Sequence, residues 1–395
     1  MPLTTLDLTA PEVVRDPYPH FAEERRRHAV AWHDRSGRWL TFDHAAANSV
    51  LRERQLGRIW VDKEPADRFA PFNMLHRNQM MENEPPDHTR LRRLVAGAFA
   101  RGHVERLRPR VRALAERLLG EVDRTHFDVI SEYAEPLPVL VIADLLGVPP
   151  SLAPRLRAWS QAIVRMYEVA PTPAQQDEAV RAAEEFAEAI REVARDRASS
   201  PREDLVSDLV RARAEDESGR AARLSEDEVV ASAVLLLNAG HEASVNVFGN
   251  GLVAMLTRGL TPSPGRVPEC VEEMLRFDSA LQLFERTATE PVQVGDVRLE
   301  PGQRIAALLG AANRDPAVFD RPDDFDVARD PNPHLAFGVG VHFCLGAPLA
   351  RMELVESVGA LFARFPGLGL AAEPESRGTF VLRGFHRVPV TEKGR

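Results

Sequence analysis

One long segment, from Ser225 to Arg258, constrains the fold of this 395-residue chain more than any other. Ser225-Glu226-Asp227-Glu228 matches a helix capping box, and Gly259 is suited to end a helix. The roughly 33 residues between these signals would span about 50 Å as an α-helix. Because its first half, VVASAVLLLNAG, is apolar on nearly every side, we expect this helix to run through the protein interior.

The middle of this segment reads Ala239-Gly240-His241-Glu242-Ala243-Ser244. A glycine weakens a helix interior, and a carboxylate inside a buried helix carries a desolvation cost. These residues therefore indicate a functional site. His241-Glu242 begins like the zinc-protease motif HExxH, but Val245 occupies the position of the second histidine, so a protease site of that kind is excluded.

Amphipathic patterns on either side of the long segment predict further helices. One helix is expected from Asp87, as its N-cap, to about Phe99. An apolar stripe with an arginine-rich opposite face predicts a second helix, through Val104, Leu107, Val111, Leu114 and Leu118. Three further helices are expected: one over 177–198, a short one that ends at Phe277, and one from about Leu345 to Phe365.

Short β-like stretches occupy Trp39–Phe42, about 281–310 and the C-terminal tail, and a proline-rich irregular stretch covers about 313–333. An irregular stretch of that length in a compact domain is usually functional. The sequence contains no internal repeat and no low-complexity linker. We therefore expect one domain over residues 1–395, mainly α, with a large helical part and a smaller β-rich region.

The composition excludes several classes of protein. The two cysteines, Cys270 and Cys344, cannot form a disulfide framework, which indicates a reducing compartment. A formal net charge of −9 argues against a general nucleic-acid binder. The N-terminus resembles no signal peptide, and no stretch approaches the roughly 18 apolar residues of a membrane helix. We expect a cytoplasmic protein without a membrane or nucleic-acid partner.

Cys344 lies in the run FGVGVHFCLG, residues 337–346, immediately before the last expected helix. A single cysteine is most often a buried, inert core residue. Here, however, glycines allow tight turns and a close approach of the backbone to a planar group. Backbone N–H groups and the helix N-terminus would stabilise a thiolate, which is a suitable axial ligand for haem iron.

This loop resembles the haem-binding loop of the cytochrome P450 family at all its fixed positions, and three further segments resemble the family in the same order. Glu273-Met274-Leu275-Arg276 is similar to the ExxR pair, with Arg329 as its third partner. His88-Thr89-Arg90-Leu91-Arg92 is similar to the HxxxR segment that holds the haem propionates, and Ala239–Ser244 to the oxygen-activating part of the central helix. The resemblance covers essentially the whole chain. It implies the cytochrome P450 fold and haem b (iron protoporphyrin IX) with Cys344 as its axial thiolate.

The resemblance also implies roles for individual residues. His88 and Arg92, one helical turn apart, would reach the same propionate group. His342 and Arg286 are similar to the remaining propionate contacts, although a solvated surface arginine is the alternative for Arg286. The further expectation is a buried charge network that fixes the cysteine loop without acting in catalysis, formed by Glu273, Arg276 and Arg329.

Ala243 departs from the family pattern, since members usually carry a threonine here that organises water and delivers protons to iron-bound oxygen. Some macrolide-precursor hydroxylases of the family share this alanine and use a substrate hydroxyl instead. With Glu242 retained and Ser244 following, we expect protonation through Ser244, ordered water or a substrate hydroxyl. The alternative is a poor monooxygenase, or another oxidation chemistry.

By analogy with the family, a mainly apolar substrate pocket is expected, although ordinary core packing is the alternative for each of its residues. They are Phe72, Leu236, Ala239, Leu283 and Phe284. A local basic surface consists of Arg101, Arg106, Arg108, Arg110 and Arg112. It is either a solvated helix face or a docking face for an acidic iron–sulfur electron donor.

The resemblance implies insertion of one oxygen atom from O2 into a hydrophobic small molecule, with electrons from a separate ferredoxin and ferredoxin reductase. A specialised metabolite of the polyketide, macrolide or terpenoid class is the expected substrate. The alternatives are a peroxide-driven or oxidative-coupling haem-thiolate enzyme, and a non-catalytic haem-fold partner. The intact cysteine loop argues against the last of these.

Overall fold

The computed structural model of the chain describes residues 1–211, 213–215 and 221–392. The α-helices are α1 (Pro11–Arg15), α2 (Tyr18–Arg27), α3 (His44–Arg52), α4 (Ala66–Arg77), α5 (Asp87–Ala96), α6 (Arg101–Glu121), α7 (Pro136–Leu146), α8 (Ala153–Val164), α9 (Pro173–Ser199), α10 (Leu205–Arg211), α11 (Glu226–Thr257), α12 (Val267–Phe277), α13 (Leu309–Ala312) and α14 (Ala347–Arg364). The predominance of helix confirms the mainly α prediction.

The described strands are short, with four in residues 1–57 and eight in residues 283–392. They are β1 (Leu3–Thr4), β2 (Val30–His33), β3 (Arg38–Thr41), β4 (Leu56–Gly57), β5 (Phe127–Asp128), β6 (Arg213–Glu215), β7 (Ala221–Arg223), β8 (Leu283–Ala288), β9 (Val292–Val294), β10 (Val297–Leu299), β11 (Arg304–Leu308), β12 (Leu368–Leu370), β13 (Glu375–Ser376), β14 (Phe385–Arg387) and β15 (Pro389–Glu392). Among the described residues, no helix has the combined length and apolar character that crossing a membrane requires.

The long helix α11 forms as its sequence predicts. At its start, the N–H of Glu228 donates to Ser225 Oγ (3.1 Å), and the N–H of Ser225 donates to Glu228 Oε2 (2.8 Å). This reciprocal pair is the predicted capping box. Gly259 follows the helix with a φ of +65°, the left-handed conformation that commonly ends helices.

The chain divides into two compact units. The first comprises Met1–Gly57, Arg108–Glu135 and Ala243–Arg395, and the second comprises Arg58–Leu107 and Pro136–Glu242. The expectation of a single domain over the whole chain stays a prediction.

A six-stranded mixed sheet organises the first unit, in the order β1-β2-β3-β11-β8-β4. Strand β11 pairs in parallel with β3, which places Ile305 beside Trp39, and antiparallel with β8, which places Ile305 beside Arg286. Alternate residues of β11 belong to different hydrophobic clusters, with Ile305 in one and Leu308 in the other. The strand is therefore buried on both faces, and β8 carries Arg286 into this sheet.

The second unit is mainly helical. Helix α9 begins four residues before the predicted start, because Thr172 and Gln175 form a capping box ahead of it. Ala183, Phe186, Ile190 and Val193 are buried along one face of α9, and the ring of Phe186 stacks on Trp159 with centroids 5.1 Å apart. Asp87 was expected to be the N-cap of helix α5, but it is the first residue of the helix, and the N-cap is Pro86, whose carbonyl oxygen accepts the N–H of Arg90.

Candidate active site

The loop before α14 folds back on itself and fixes the backbone of Cys344. The N–H of Cys344 donates to the carbonyl oxygen of Phe337 (2.9 Å), and the N–H of Phe343 donates to that of Gly340 (3.1 Å). Gly338 and Gly340 have φ angles of +64° and +78°, which side chains other than glycine rarely adopt. The loop conformation therefore depends on these glycines.

Close packing against neighbouring elements adds a second requirement for glycine. A Cβ atom at Gly340 would lie 2.5 Å from the carbonyl oxygen of Leu51, in α3. A Cβ atom at Gly338 would lie 3.5 Å from the ring of Phe284, in β8. The first distance is a clash and the second an ordinary contact, so Gly340 is the position at which the loop approaches another backbone most closely.

The two cysteines have different surroundings. Cys344 is half-buried, two residues before Gly346, the N-cap of α14. Cys270 is fully buried, its Sγ lies 3.3 Å from Met255 Sδ, and burial raises the pKa of its thiol to about 12. Cys270 is thus an inert core residue, and Cys344 is the more accessible thiol of the two.

The structure brings Glu273, Arg276 and Arg329 together in a buried network. Arg276 Nε and Nη2 each donate to one carboxylate oxygen of Glu273 over 2.7 Å, and neither side chain is exposed. Arg329 Nε lies 3.1 Å from Glu273 Oε2. The N–H of Asp326 and the side-chain amide of Asn332 also donate to Glu273, over 2.9 and 3.2 Å.

The same network holds the irregular proline-rich stretch. Arg276 donates to the carbonyl oxygens of Asn313 (2.9 Å), Pro322 (2.8 Å) and Asp324 (3.0 Å). Burial lowers the pKa of Arg276, and the hydrogen bonds to Glu273 oppose that shift. The carboxylate and the backbone carbonyls together compensate the buried guanidinium, and α12 is thereby tied to the segment that leads into the cysteine loop.

Two of the residues expected to contact the propionates, Arg286 and His342, lie in the first unit. They differ in exposure. Arg286 lies on β8, is 3% exposed, and donates to the carbonyl oxygen of Glu285 (2.9 Å). The alternative of a solvated surface arginine is therefore wrong for Arg286. His342 is half-buried, at the end of the 3₁₀ turn Gly340–His342 that precedes Cys344.

His88 and Arg92 lie in α5, within the second unit. His88 is 2% exposed and Arg92 is half-buried. Residues four apart lie on one face of an α-helix, so both side chains project from the same side of α5. Arg90 lies on a different face of α5 and pairs with Glu228 at 2.5 Å.

The middle of α11 has an accessible patch of small residues within a buried helix. Ala239 is exposed, and Gly240 and Ala243 are half-buried, whereas the residues before and after them are buried. His241 and Glu242 are each 2% exposed, with His241 Nδ1 and Glu242 Oε1 3.4 Å apart, and Ser244 is 9% exposed. The small side chains thus leave part of this helix open at the positions singled out from the sequence.

The residues expected to line a substrate pocket have different environments. Phe72 is fully buried and stacks on the His76 ring with centroids 4.0 Å apart, and Leu236 is 6% exposed. Leu283 belongs to a buried hydrophobic cluster. The accessible members are Ala239, and Phe284 where it lies against the cysteine loop.

Part of the arginine-rich face of α6 is engaged within the protein. Arg108 Nη1 and Arg112 Nε each lie 2.7 Å from a carboxylate oxygen of Glu356, in α14. These hydrogen bonds and charges lower the pKa of Glu356 although burial would raise it. Two of the five arginines named from the sequence therefore bind α14, so this face of α6 is not only a solvated surface.

Sequence reasoning missed a second ion-pair network in the first unit, formed by Glu272, His334 and Arg351. Glu272 accepts from Arg351 over 2.7 and 2.9 Å, and lies 3.0 Å from His334 Nε2. The only signal in the sequence was a second glutamate directly before Glu273. Adjacent helix residues point about 100° apart, so Glu272 could not share the partners of Glu273.

The residues present fit a haem in their chemistry. A half-buried thiol on a glycine turn offers a soft sulfur donor for iron, and a buried arginine such as Arg286 suits a carboxylate. His88 and Arg92 offer further N–H donors of the kind that bind carboxylates. Donors of these kinds are the ones that a haem-thiolate protein requires.

Comparison with known proteins gives the family. The family model for Cytochrome P450 matches residues 267–367. The chain is 38% identical to Cytochrome P450 107B1 of Saccharopolyspora erythraea, over 84% of this chain and 80% of that protein. It is 36% identical to 6-deoxyerythronolide B hydroxylase of the same organism, over 90% of each chain. A crystal structure of P450BioI in complex with a hexadec-9Z-enoic acid-ligated acyl carrier protein superimposes with a TM-score of 0.91 at 30% identity, covering 97% of this chain and 100% of that one.

The chain therefore belongs to the cytochrome P450 family, and it is a cytochrome P450 monooxygenase. The resemblance inferred from its sequence motifs and the predicted fold class are both confirmed. Membership of this family implies haem-thiolate chemistry.

Proposed function

We propose that Cys344 is the axial thiolate ligand of a haem b, and that His88, Arg92, Arg286 and His342 bind its propionates. The geometry of the cysteine loop carries this proposal. The N–H of Cys344 is bonded to Phe337, and the thiol is half-buried at the end of a turn that only glycines allow. When bound, the haem supplies O2 activation, in which a thiolate ligand favours O–O cleavage.

The chain's own residues orient the group and compensate its charge in this proposal. Arg286 is held on a buried strand, so its guanidinium pairs with a propionate without losing further side-chain freedom. His88 and Arg92 supply donors from one face of α5. The Glu273 network positions the segment before the cysteine loop and does not act in catalysis.

Proton delivery is assigned to Glu242 and Ser244, with ordered water or a substrate hydroxyl in the place left by Ala243. The accessible face at Ala239 and Ala243 supports this assignment, because a small side chain leaves room for such a hydroxyl. In Ala243→Thr, the new hydroxyl should compete for that room. Coupling of electron use to product should therefore stay equal or fall, and a large rise would contradict substrate-assisted protonation.

The reaction we propose inserts one oxygen atom from O2 into a hydrophobic small molecule of specialised metabolism. Similarity to 6-deoxyerythronolide B hydroxylase favours a polyketide or macrolide over a terpenoid. A titration of macrolactones, linear polyketide acids and terpenoids into the holoprotein, read by the haem spin-state shift, tests this. A shift confined to terpenoids, or to none of the three classes, would contradict the substrate class.

Electrons are proposed to come from a separate ferredoxin and ferredoxin reductase. The side chains of Arg101, Arg106 and Arg110 are exposed, and the docking charge on α6 is assigned to these three residues because of that exposure. Haem reduction by an acidic ferredoxin should slow as ionic strength rises. Product formation with peroxide alone, at the rate of the reductase system, would instead favour a peroxide-driven enzyme.

A further inference from the structure

Glu272 organises a compact cluster beside the cysteine loop. Its Oε1 accepts from Arg351 Nε (2.7 Å) and its Oε2 from Arg351 Nη2 (2.9 Å), the bidentate geometry in which a carboxylate and a guanidinium orient each other. Glu272 lies on α12 and Arg351 on α14. The pair therefore joins the helix of the ExxR motif to the helix that follows Cys344.

His334 completes the cluster from the segment that enters the loop. Its Nδ1 accepts the N–H of Ala336 (3.2 Å), so the neutral ring carries its proton on Nε2. Nε2 lies 3.0 Å from Glu272 Oε2 and donates to it. The side chain of His334 is only 3% exposed and that of Glu272 is 30% exposed, so this contact is partly buried.

Both partners of Glu272 face Phe337, the first residue of the cysteine loop. The guanidinium carbon of Arg351 lies 4.5 Å from the centroid of the Phe337 ring, within the range of a cation–π contact. The centroids of the His334 and Phe337 rings are 6.0 Å apart. Phe337 thus contacts two groups that Glu272 orients.

Phe337 in turn contacts Cys344 directly through the backbone, because its carbonyl oxygen accepts the N–H of Cys344 over 2.9 Å. A shift of Phe337 would change the orientation of the Cys344 peptide. The direction and hydrogen bonding of the sulfur depend on that peptide, and hydrogen bonding around a thiolate sulfur tunes the metal it binds.

We propose that Glu272 is a positioning residue for Cys344, acting through Arg351 and His334 on Phe337. This inference rests on the proposed function of Cys344 as haem ligand. It gives Glu272 a role separate from that of its neighbour Glu273, whose partners are Arg276, Arg329 and the irregular stretch. Glu273 stabilises the segment that precedes the loop, whereas Glu272 orients the side chains that contact Phe337, the first residue of the loop.

The strength of the cluster distinguishes it from an ordinary surface ion pair. Burial alone would raise the pKa of Glu272, but hydrogen bonds from His334 and Arg351 outweigh burial and lower the pKa to about 2. The carboxylate is therefore charged throughout the physiological range. Exposed pairs without such partners contribute little to stability or to order.

The test is Glu272→Gln in the holoprotein, with Glu269→Gln as the matched control. Glu269 lies one turn earlier on α12, and its contact with Arg266 is longer and more exposed (3.6 Å, side chains 54% and 37% exposed). Two properties are measured besides activity: the haem reduction potential, and the rate at which the thiolate-type band of the reduced, carbon monoxide-bound protein is lost. We expect Glu272→Gln to shift the potential and to lose the band several-fold faster, with Glu269→Gln like wild type.

Arg351→Gln is the second variant, because it breaks the bidentate pair from the partner's side, at a side chain that is 38% exposed. It should reproduce the shift in potential even if Glu272→Gln fails to fold. A potential and band lifetime equal to wild type in either folded variant would overturn the inference. If Cys344→Ala keeps the thiolate-type band, the proposed function itself fails, so the two failures are distinguishable.

Discussion

Replacing Glu273 by glutamine perturbs the most completely buried charge network in the described part of the chain. Glu273 and Arg276 are both fully buried, and Arg329 is 7% exposed. The substitution keeps the shape of the side chain and removes its charge. One carboxylate oxygen that accepts N–H groups becomes an amide nitrogen that can only donate.

The structure sets the size of the effect. Oε2 of Glu273 accepts from Arg276 Nε (2.7 Å), Arg329 Nε (3.1 Å) and the side-chain amide of Asn332 (3.2 Å), and Oε1 accepts from Arg276 Nη2 (2.7 Å) and the N–H of Asp326 (2.9 Å). An amide nitrogen in place of either oxygen forfeits at least two of these bonds, and a hydrogen bond to a charged group contributes about 1.5–3 kcal/mol. The sum agrees with the roughly 3–5 kcal/mol lost when one partner of a buried ion pair is removed.

A calorimetric melt of the holoprotein measures this loss. With an unfolding entropy of roughly 2.1 cal/mol/K per residue, 3–5 kcal/mol lowers the Tm of a 395-residue chain by about 4–6 °C. Glu300→Gln is the matched control, since Glu300 pairs with Arg298 at 3.0 Å but both side chains are more than half exposed. It should leave the Tm unchanged. If Glu273→Gln and Glu300→Gln melt together at the wild-type Tm, the network does not carry the buried charge as argued.

Two other features give separate predictions. Gly340→Ala places a Cβ against the carbonyl oxygen of Leu51 in a left-handed backbone conformation, and should lose more than the roughly 1–2 kcal/mol of the conformation alone. Gly302→Ala, also at positive φ but with open space around it, isolates the conformational part, so equal urea midpoints for the two variants would refute the close approach. Because the pKa of Glu272 is lowered from 4.5 to about 2, its stabilising contribution is complete above pH 4.5 and is lost as the pH falls towards 2. The free energies of unfolding of wild type and Glu272→Gln should converge over that interval, and a gap that is constant with pH would contradict the pairing.

Local features of the fold were predictable from the sequence. Helix α11 was predicted with its capping box because the signals lie within one turn of each end and the apolar run is continuous. The start of α9 was missed, since the capping pair of Thr172 and Gln175 lies outside the apolar periodicity that predicted the helix. Short β-like stretches were predicted as such, but the pairing of Trp39 with Ile305 depends on tertiary contacts that no local pattern encodes.

Contiguous residues of the candidate site were also predictable from the sequence, whereas contacts between distant residues were not. The cysteine loop is contiguous, so its glycines and thiol predicted a turn and a ligand directly from the residues. Glu273 and Arg329 lie 56 residues apart, and family resemblance alone predicted that they belong together. The contacts of Glu272 with Arg351, and of Glu356 with Arg112, join residues still further apart in sequence, and charged residues are common enough that nothing local identifies the partner.

The assignment of Cys344 as the axial ligand is tested most directly by the absorption spectrum of the reduced, carbon monoxide-bound protein. Wild type should show the red-shifted Soret band of thiolate-ligated haem, and Cys344→Ala should lose it while still binding haem. Cys270→Ala, which changes the buried core cysteine, is the control and should keep the band. A thiolate-type band that persists in Cys344→Ala, or its absence from the wild-type protein, would contradict the proposed role of the cysteine loop.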